Sequence, residues 1–226
     1  MTQHRQSSDS VSTHRPAANA VGRIRPLVVL VGVPGAGKST VGRALAERLG
    51  VGFRDTDADV ESSTGRAIAD IFVQSGEPEF RGLEAAAVAT ALQEHAGVLA
   101  LGGGAVMDPG TRGLLAGGPV VWLRVGLATA SHRAGLSGAR PVLLGNVRAQ
   151  MKALMDSRAP LYAEVSRLIV DTDSSSVAET VEWILGGLGL PGGTGPAADA
   201  GAAADVGPGI PAGRHADDTA DPGARP

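Results

Sequence analysis

Residues 32–40 read Gly32-Val33-Pro34-Gly35-Ala36-Gly37-Lys38-Ser39-Thr40. Glycine, four residues, glycine, lysine and a hydroxyl residue is the spacing of a phosphate-binding loop. The apolar run 27–31, Leu-Val-Val-Leu-Val, comes directly before it. That run is short, unbroken and β-branched, as a strand buried on both faces should be. Val41, Ala44, Leu45 and Leu49 follow at the spacing of one helix face. Strand, glycine loop and helix therefore stand in the required order. The glycines let backbone amides converge on one point, and the helix N-terminus adds its positive dipole end there. Lys38 is placed to reach the β- and γ-phosphates of a nucleotide, and Ser39 to hold Mg²⁺. The 20 basic residues include only two lysines, Lys38 and Lys152, and one of the two stands where such a loop needs it.

Composition removes several function classes. The 226 residues suffice for one ordinary domain with tails. A net charge of -3 gives no general polyanion-binding surface, and 3% aromatic content gives few platforms for stacking bases, so no nucleic-acid partner is expected. Without cysteine there is neither a disulfide framework nor thiolate chemistry. No apolar stretch reaches membrane-spanning length, and the polar N-terminus lacks the apolar segment of a secretory signal. The expectation is a cytoplasmic monomer with no membrane partner.

Apolar runs alternate with amphipathic stretches along the chain. Residues 1–24 have no periodicity and read as a disordered extension. Strands are predicted at 27–31, 51–54, 98–101, 119–125 and 168–171. Helices are predicted after the phosphate loop, around Ile68, Ile71 and Phe72, from Glu77-Pro78-Glu79 to His95, at 111–116, 127–133 and 147–157, from 159 onward, and at 177–188. Residues 135–145 carry glycine near each end and no apolar period, which suits a mobile lid. Residues 191–226 contain 10 Ala, 8 Gly and 6 Pro, too little apolar bulk to offset chain entropy, so they read as a disordered tail. The ordered domain is then 25–190. Its alternation implies an α/β fold: a five-stranded parallel sheet covered by helices on both faces.

Ligands of such sheets bind beyond the carboxyl ends of the strands. Four features fall there: the phosphate loop, Asp55-Thr56-Asp57, Gly102-Gly103-Gly104, and the segment leading from Val125 to the lid. If 55–57 is extended, both aspartates project to one side. One would help order Mg²⁺ and its waters, and the other would bind and polarise a substrate hydroxyl. Three consecutive glycines at a ligand edge read either as a plain strand-ending turn or as a close approach of backbone to something.

Taken together, the chain resembles the shikimate kinase family of P-loop phosphotransferases over about residues 26–188. The resemblance rests on the phosphate loop, Asp55-Thr56-Asp57, residues 65–72 (GRAIADIF), Gly76-Glu77-Pro78-Glu79-Phe80-Arg81, residues 101–105, Arg140-Pro141-Val142-Leu143 and Arg158-Ala159-Pro160-Leu161-Tyr162. It implies a three-layer α/β/α P-loop kinase fold and ATP-dependent phosphorylation of the 3-hydroxyl of shikimate, in aromatic amino acid biosynthesis. Gly35, Ala36, Gly37, Lys38, Ser39 and Thr40 would bind ATP, with Ser39 and Asp55 on one Mg²⁺. Asp57 would hold the shikimate hydroxyls and take the reacting proton. Arg81 and Arg158 would clamp the carboxylate beside Gly102, Gly103 and Gly104. Arg140 would come from the lid onto the ATP phosphates, and Arg133 would flank adenine. Phe72, Phe80 and Glu84 would line or brace the substrate site. The family often has a basic residue after its last strand that touches adenine, and 171–176 (DTDSSS) offers none.

Two other readings compete. One is a small-molecule kinase of the same fold acting on gluconate, also a polyhydroxylated acid. The other is a catalytically idle binding module, which should have lost Lys38, Asp57 or the arginine pair. A switch GTPase is disfavoured by the absence of an Asn-Lys-x-Asp motif.

Overall fold

The computed structural model describes residues 25–134 and 141–193, with the side chains of 141–146 excepted. The elements run β1 (Val28–Val31), α1 (Lys38–Leu49), β2 (Phe53–Asp55), α2 (Thr56–Thr64), α3 (Ile68–Glu94), β3 (Val98–Ala100) and a 3-10 turn (Ala105–Met107). They continue with α4 (Pro109–Leu115), β4 (Val120–Arg124), α5 (Leu127–Arg133), α6 (Pro141–Val165), β5 (Leu168–Asp171) and α7 (Val177–Leu188). The five strands form one parallel sheet in the order β2-β3-β1-β4-β5. β1 is central, with β3 and β4 on its two sides, so the strand order switches direction at the strand that feeds the phosphate loop.

All four residues of β1 are buried, as are Val98 and Leu99 of β3 and Val120, Val121 and Leu123 of β4. That burial is why these strands read as continuous apolar runs. α1 and α7 pack on each other and on β3 and β5, while α6 packs on β4 near the 3-10 turn. Gly50 closes α1 and Gly189 closes α7, both in the left-handed region. Ser176 and Glu179 make a reciprocal cap at the start of α7. A second, smaller core joins Val60 of α2 to Ile71 and Phe80 of α3, with Ile68, Leu83 and Ala87 against it. This cluster sets the two helices that carry Asp57 and Arg81.

Three local expectations change. Residues 55–57 are not extended: Asp55 ends β2 and caps α2 by accepting from the Asp57 amide, and Asp57 lies in the first helical turn. The periodicity of α2 is weak, which hid it. Residues 141–145, expected in an irregular lid, begin α6, with Pro141 supplying a helical φ at its start. α6 also runs through Pro160 without a break, although that residue has no amide hydrogen to donate. By contrast, the two helices expected around residue 76 are present as the two arms of α3, separated at Gly76 by φ 83 and ψ 171, a conformation open to glycine. Residues 1–24, 135–140 and 194–226, to which the extension, most of the lid and nearly all of the tail were assigned, lie outside the described residues. Among the described residues no helix is long and apolar enough to cross a membrane.

Candidate functional site

The site is built at the carboxyl end of β1. Gly35 has φ 81, and a side chain there would meet the Ala130 carbonyl oxygen at 2.5 Å, so both conformation and space demand glycine. The loop then enters α1 with Lys38 as its first residue. Lys38 Nζ donates to Gly32 O at 2.8 Å and Val33 O at 3.2 Å, holding the amine over the loop itself. Burial lowers its pKa, against the opposing pull of the Asp57 and Asp55 charges.

Ser39 Oγ donates to Asp55 Oδ2 at 2.7 Å, while Asp55 Oδ1 accepts from the Asp57 amide at 3.1 Å. A hydroxyl and a carboxylate oxygen thus meet beside the phosphate loop, a hard-oxygen donor pair that suits Mg²⁺ with water and phosphate completing its shell. The Asp57 carboxyl is pushed up to about 6, first by burial and then by the Asp55 charge, with Lys38 pulling the other way.

The three glycines after β3 receive what converges on them. The Gly102 amide donates to the buried Thr56 hydroxyl at 3.0 Å. A side chain at Gly102 would collide with carboxylate oxygens of both Asp57 and Glu84, and one at Gly104 with the Arg81 guanidinium. The Gly103 carbonyl accepts from Arg158 Nη1 at 3.0 Å and from the Tyr162 hydroxyl at 2.6 Å. Tyr162 is buried, which pushes its pKa up to about 12 and keeps it a neutral donor.

Arg81 is held from two sides. Its Nη1 donates to Glu84 Oε2 at 2.5 Å, and its Nε and Nη2 both donate to Glu77 Oε1, at 3.1 and 3.0 Å. Burial would lower its pKa, but the bonds to Glu84 and Glu77 outweigh it and raise the value. The guanidinium also lies over Phe80 at 5.1 Å and Phe72 at 5.9 Å, and the two rings are 4.6 Å apart.

On the other flank of the phosphate loop, Arg133 Nη2 donates to Thr172 O at 2.8 Å. Arg133, Thr172 and Ser175 line a cavity of about 160 Å³ that also touches Gly37 and Thr40. The segment after β5 therefore offers hydroxyls and backbone rather than a base of its own, and Arg133 reaches it from α5.

Lys38, Ser39, Asp55, Asp57, Arg81, Gly102, Gly103, Gly104 and Arg158 thus gather at one edge of the sheet, with Arg133 across the loop. Arg140 lies outside the described residues. Sequence reasoning assigned no role to Thr56, Glu77, Tyr162 or Thr172. Tyr162 carried a usable signal: it is the sole tyrosine and stands four residues after Arg158 on a helix, hence on the same face. Glu77 read only as an acid in a first helical turn.

A glycine loop whose lysine lies over it, a hydroxyl–carboxylate pair beside it and two arginines against the neighbouring glycine run are the architecture of a P-loop phosphotransferase. The shikimate kinase family profile matches residues 34–188. The chain is 54% identical to a shikimate kinase of Thermobifida fusca over 160 residues, 71% of this chain and 93% of that one. It is 60% identical to a shikimate kinase of Saccharopolyspora erythraea over 149 residues, 66% and 85% of the two chains. The structure of shikimate kinase from Acinetobacter baumannii in complex with shikimate superposes with a TM-score of 0.66 at 36% identity, covering 72% of this chain and 91% of that one. The chain belongs to the shikimate kinase family, and so to the enzymes that phosphorylate shikimate.

Proposed function

We propose that the gathered residues divide the ATP-dependent phosphorylation of the shikimate 3-hydroxyl as follows. Arg81 and Arg158 grip the acceptor's carboxylate and so aim its ring. Two guanidinium groups suit a planar two-oxygen anion better than two ammonium groups would. Asp57 binds the reacting hydroxyl and accepts its proton. A carboxyl that titrates at about 6 is ionised at neutral pH yet basic enough to take a proton from a hydroxyl that is being phosphorylated. Glu84, Phe72 and Phe80 brace the pocket, and Glu84 keeps Arg81 in place.

Gly35, Ala36, Gly37, Lys38, Ser39 and Thr40 cradle the ATP phosphates through backbone amides and the lysine charge. Arg140 adds a second cation from the lid, and Arg133 flanks the base. Ser39 and Asp55 would hold one Mg²⁺, whose charge supports the phosphate oxygens when bound. The protein's part is positioning and electrostatics, because phosphoryl transfer asks for little covalent help. The acting unit is read as a monomer, working in the cytoplasm. The single ordered domain is read as 25–190, flanked by tails that take no part.

The observation that carries this reading is the convergence of Asp57, Glu84 and Arg81 on the glycine run whose next carbonyl receives Arg158. It joins a proton acceptor to an anion clamp within reach of Lys38. The test is ADP release measured against shikimate, quinate, gluconate and the nucleoside monophosphates, with Lys38→Met as the folded, inactive control. Turnover should be confined to shikimate and lost in the control. A preference for gluconate, or turnover that survives Lys38→Met, would overturn it.

A further inference from the structure

Arg81 has two edges through which a two-oxygen ligand can be bound, and their surroundings differ. The Nη1 side is closed: Glu84 Oε2 takes Nη1 at 2.5 Å, and the Gly104 backbone lies directly against it. Glu84 is 3% exposed and faces Gly102, so it is a fixed partner. The Nε–Nη2 side is the one left for an incoming carboxylate. It is taken by Glu77, whose single oxygen Oε1 accepts from both nitrogens. Glu77 is 56% exposed. Its hold is a solvent-side, one-oxygen contact, weaker by geometry than two parallel bonds to two oxygens.

Glu77 also stands immediately after the backbone break of α3. Gly76 has φ 83 and ψ 171, and a side chain built there would meet nothing closer than Pro78 Cδ at 3.7 Å. Glycine at this point is therefore required by conformation, not by crowding, and Glu77 opens the second arm directly beyond this pivot of the backbone. Arg66 brackets the pivot: Nη2 donates to Ser75 Oγ at 2.9 Å before it, and Nη1 to Glu79 Oε1 at 3.4 Å after it. The two arms are tied together across the break.

We propose that Glu77 is a built-in competitor for the acceptor's carboxylate: it occupies the Nε–Nη2 edge of Arg81 in the empty site, and substrate must displace it by rotation at the Gly76–Glu77 pivot. This deepens the assignment of Arg81 to the substrate carboxylate and rests on it. Glu77 keeps Arg81 aimed and neutralised when no acceptor is present, and it raises the threshold an acceptor must pass. Only a ligand with an anionic two-oxygen group replaces what Glu77 supplies, so an uncharged polyol gains nothing by entering. The apparent affinity of the site is reduced by the fraction of time Glu77 holds the edge.

The test is calorimetric titration of the full chain and its Glu77→Gln and Glu77→Ala variants with shikimate, with shikimate methyl ester, and with a non-hydrolysable ATP analogue. Both variants should bind shikimate more tightly, by roughly two- to fivefold, the scale of an exposed ion pair released from competition. Affinity for the ester, which lacks the anionic group, and for the ATP analogue should stay at the wild-type level. A purely structural role predicts the opposite sign, because removing an acid from a helix's first turn loosens the arm that carries Arg81. Unchanged or weaker shikimate binding in Glu77→Gln therefore overturns the proposal. Arg81→Ala separates the two layers. If it binds shikimate normally, the assignment of Arg81 itself fails. If it loses affinity while Glu77→Gln gains none, only the competitor role fails.

Discussion

Asp57→Asn separates the chemistry of the site from its effect on stability. In the folded protein the Asp57 carboxyl titrates at about 6, against 3.8 for its ordinary value, chiefly because it is buried. A carboxyl raised on folding binds more protons folded than unfolded between those two values. Stability therefore falls as pH climbs through that window and stays reduced above it. At 1.36 kcal/mol per unit the ceiling is about 3 kcal/mol, and partial access to solvent brings the expectation to about 1–3 kcal/mol. Asparagine keeps the shape and cannot ionise. The variant should thus melt above the wild type at pH 8, by roughly 3–10 °C for a domain of this size, with the gap shrinking toward zero near pH 4. Its kcat should fall by roughly 10²-fold or more, as loss of a positioned base requires. The assay is a thermal melt of the ligand-free protein at both pH values, set beside turnover with saturating shikimate. An Asp57→Asn protein no more stable than wild type at pH 8, or equally stabilised at pH 4, would refute the account of a buried carboxylate kept ionised at the expense of fold stability.

Further outcomes follow from the same geometry. For wild type, kcat/KM for shikimate should rise with pH through about 6 and level off above it, and a flat profile from pH 5 to 8 would remove Asp57 as the base. Arg158→Ala should weaken shikimate binding by roughly thirtyfold to several thousandfold while leaving affinity for an ATP analogue intact, read by calorimetry. Gly104→Ala drives a methyl group into the Arg81 guanidinium; shikimate affinity should drop with the fold retained, and wild-type binding would show that Arg81 has room to move away. Tyr162→Phe removes the 2.6 Å bond to Gly103 O and should cost about 0.5–1.5 kcal/mol in denaturant unfolding, and a midpoint equal to that of wild type would show that the bond adds nothing net.

Local pattern alone carried the phosphate loop, the five strands, α5 and α7, and the break at residue 76. Each of these is written in neighbouring residues: a buried strand is a short β-branched run, a pivot is a glycine before Glu77-Pro78-Glu79, and a helix closes on a glycine. It missed α2, whose apolar face is only Val60 and whose first turn is acidic. It also misjudged 141–145 and the passage through Pro160. At Pro160, the bonds from Arg158 and Tyr162 to Gly103 on either side of it hold a helix that propensity by itself would interrupt.

For the site, the sequence by itself determined which residue types stand at the strand ends, because the parallel sheet brings every such end to one edge. Who touches whom was decided only by the tertiary structure. Arg158 and Tyr162 meet a carbonyl 55 and 59 residues away, and Arg133 meets one 39 residues away. The titration of Asp57 likewise depends first on burial, and on Lys38 and Glu84 from other elements as well as on its near neighbour Asp55. The partition of Arg81 between a fixed and an exposed glutamate is of the same kind. Glu77 and Glu84 lie at near-equal spacing on either side of it, and only the depth at which each carboxylate is buried tells them apart.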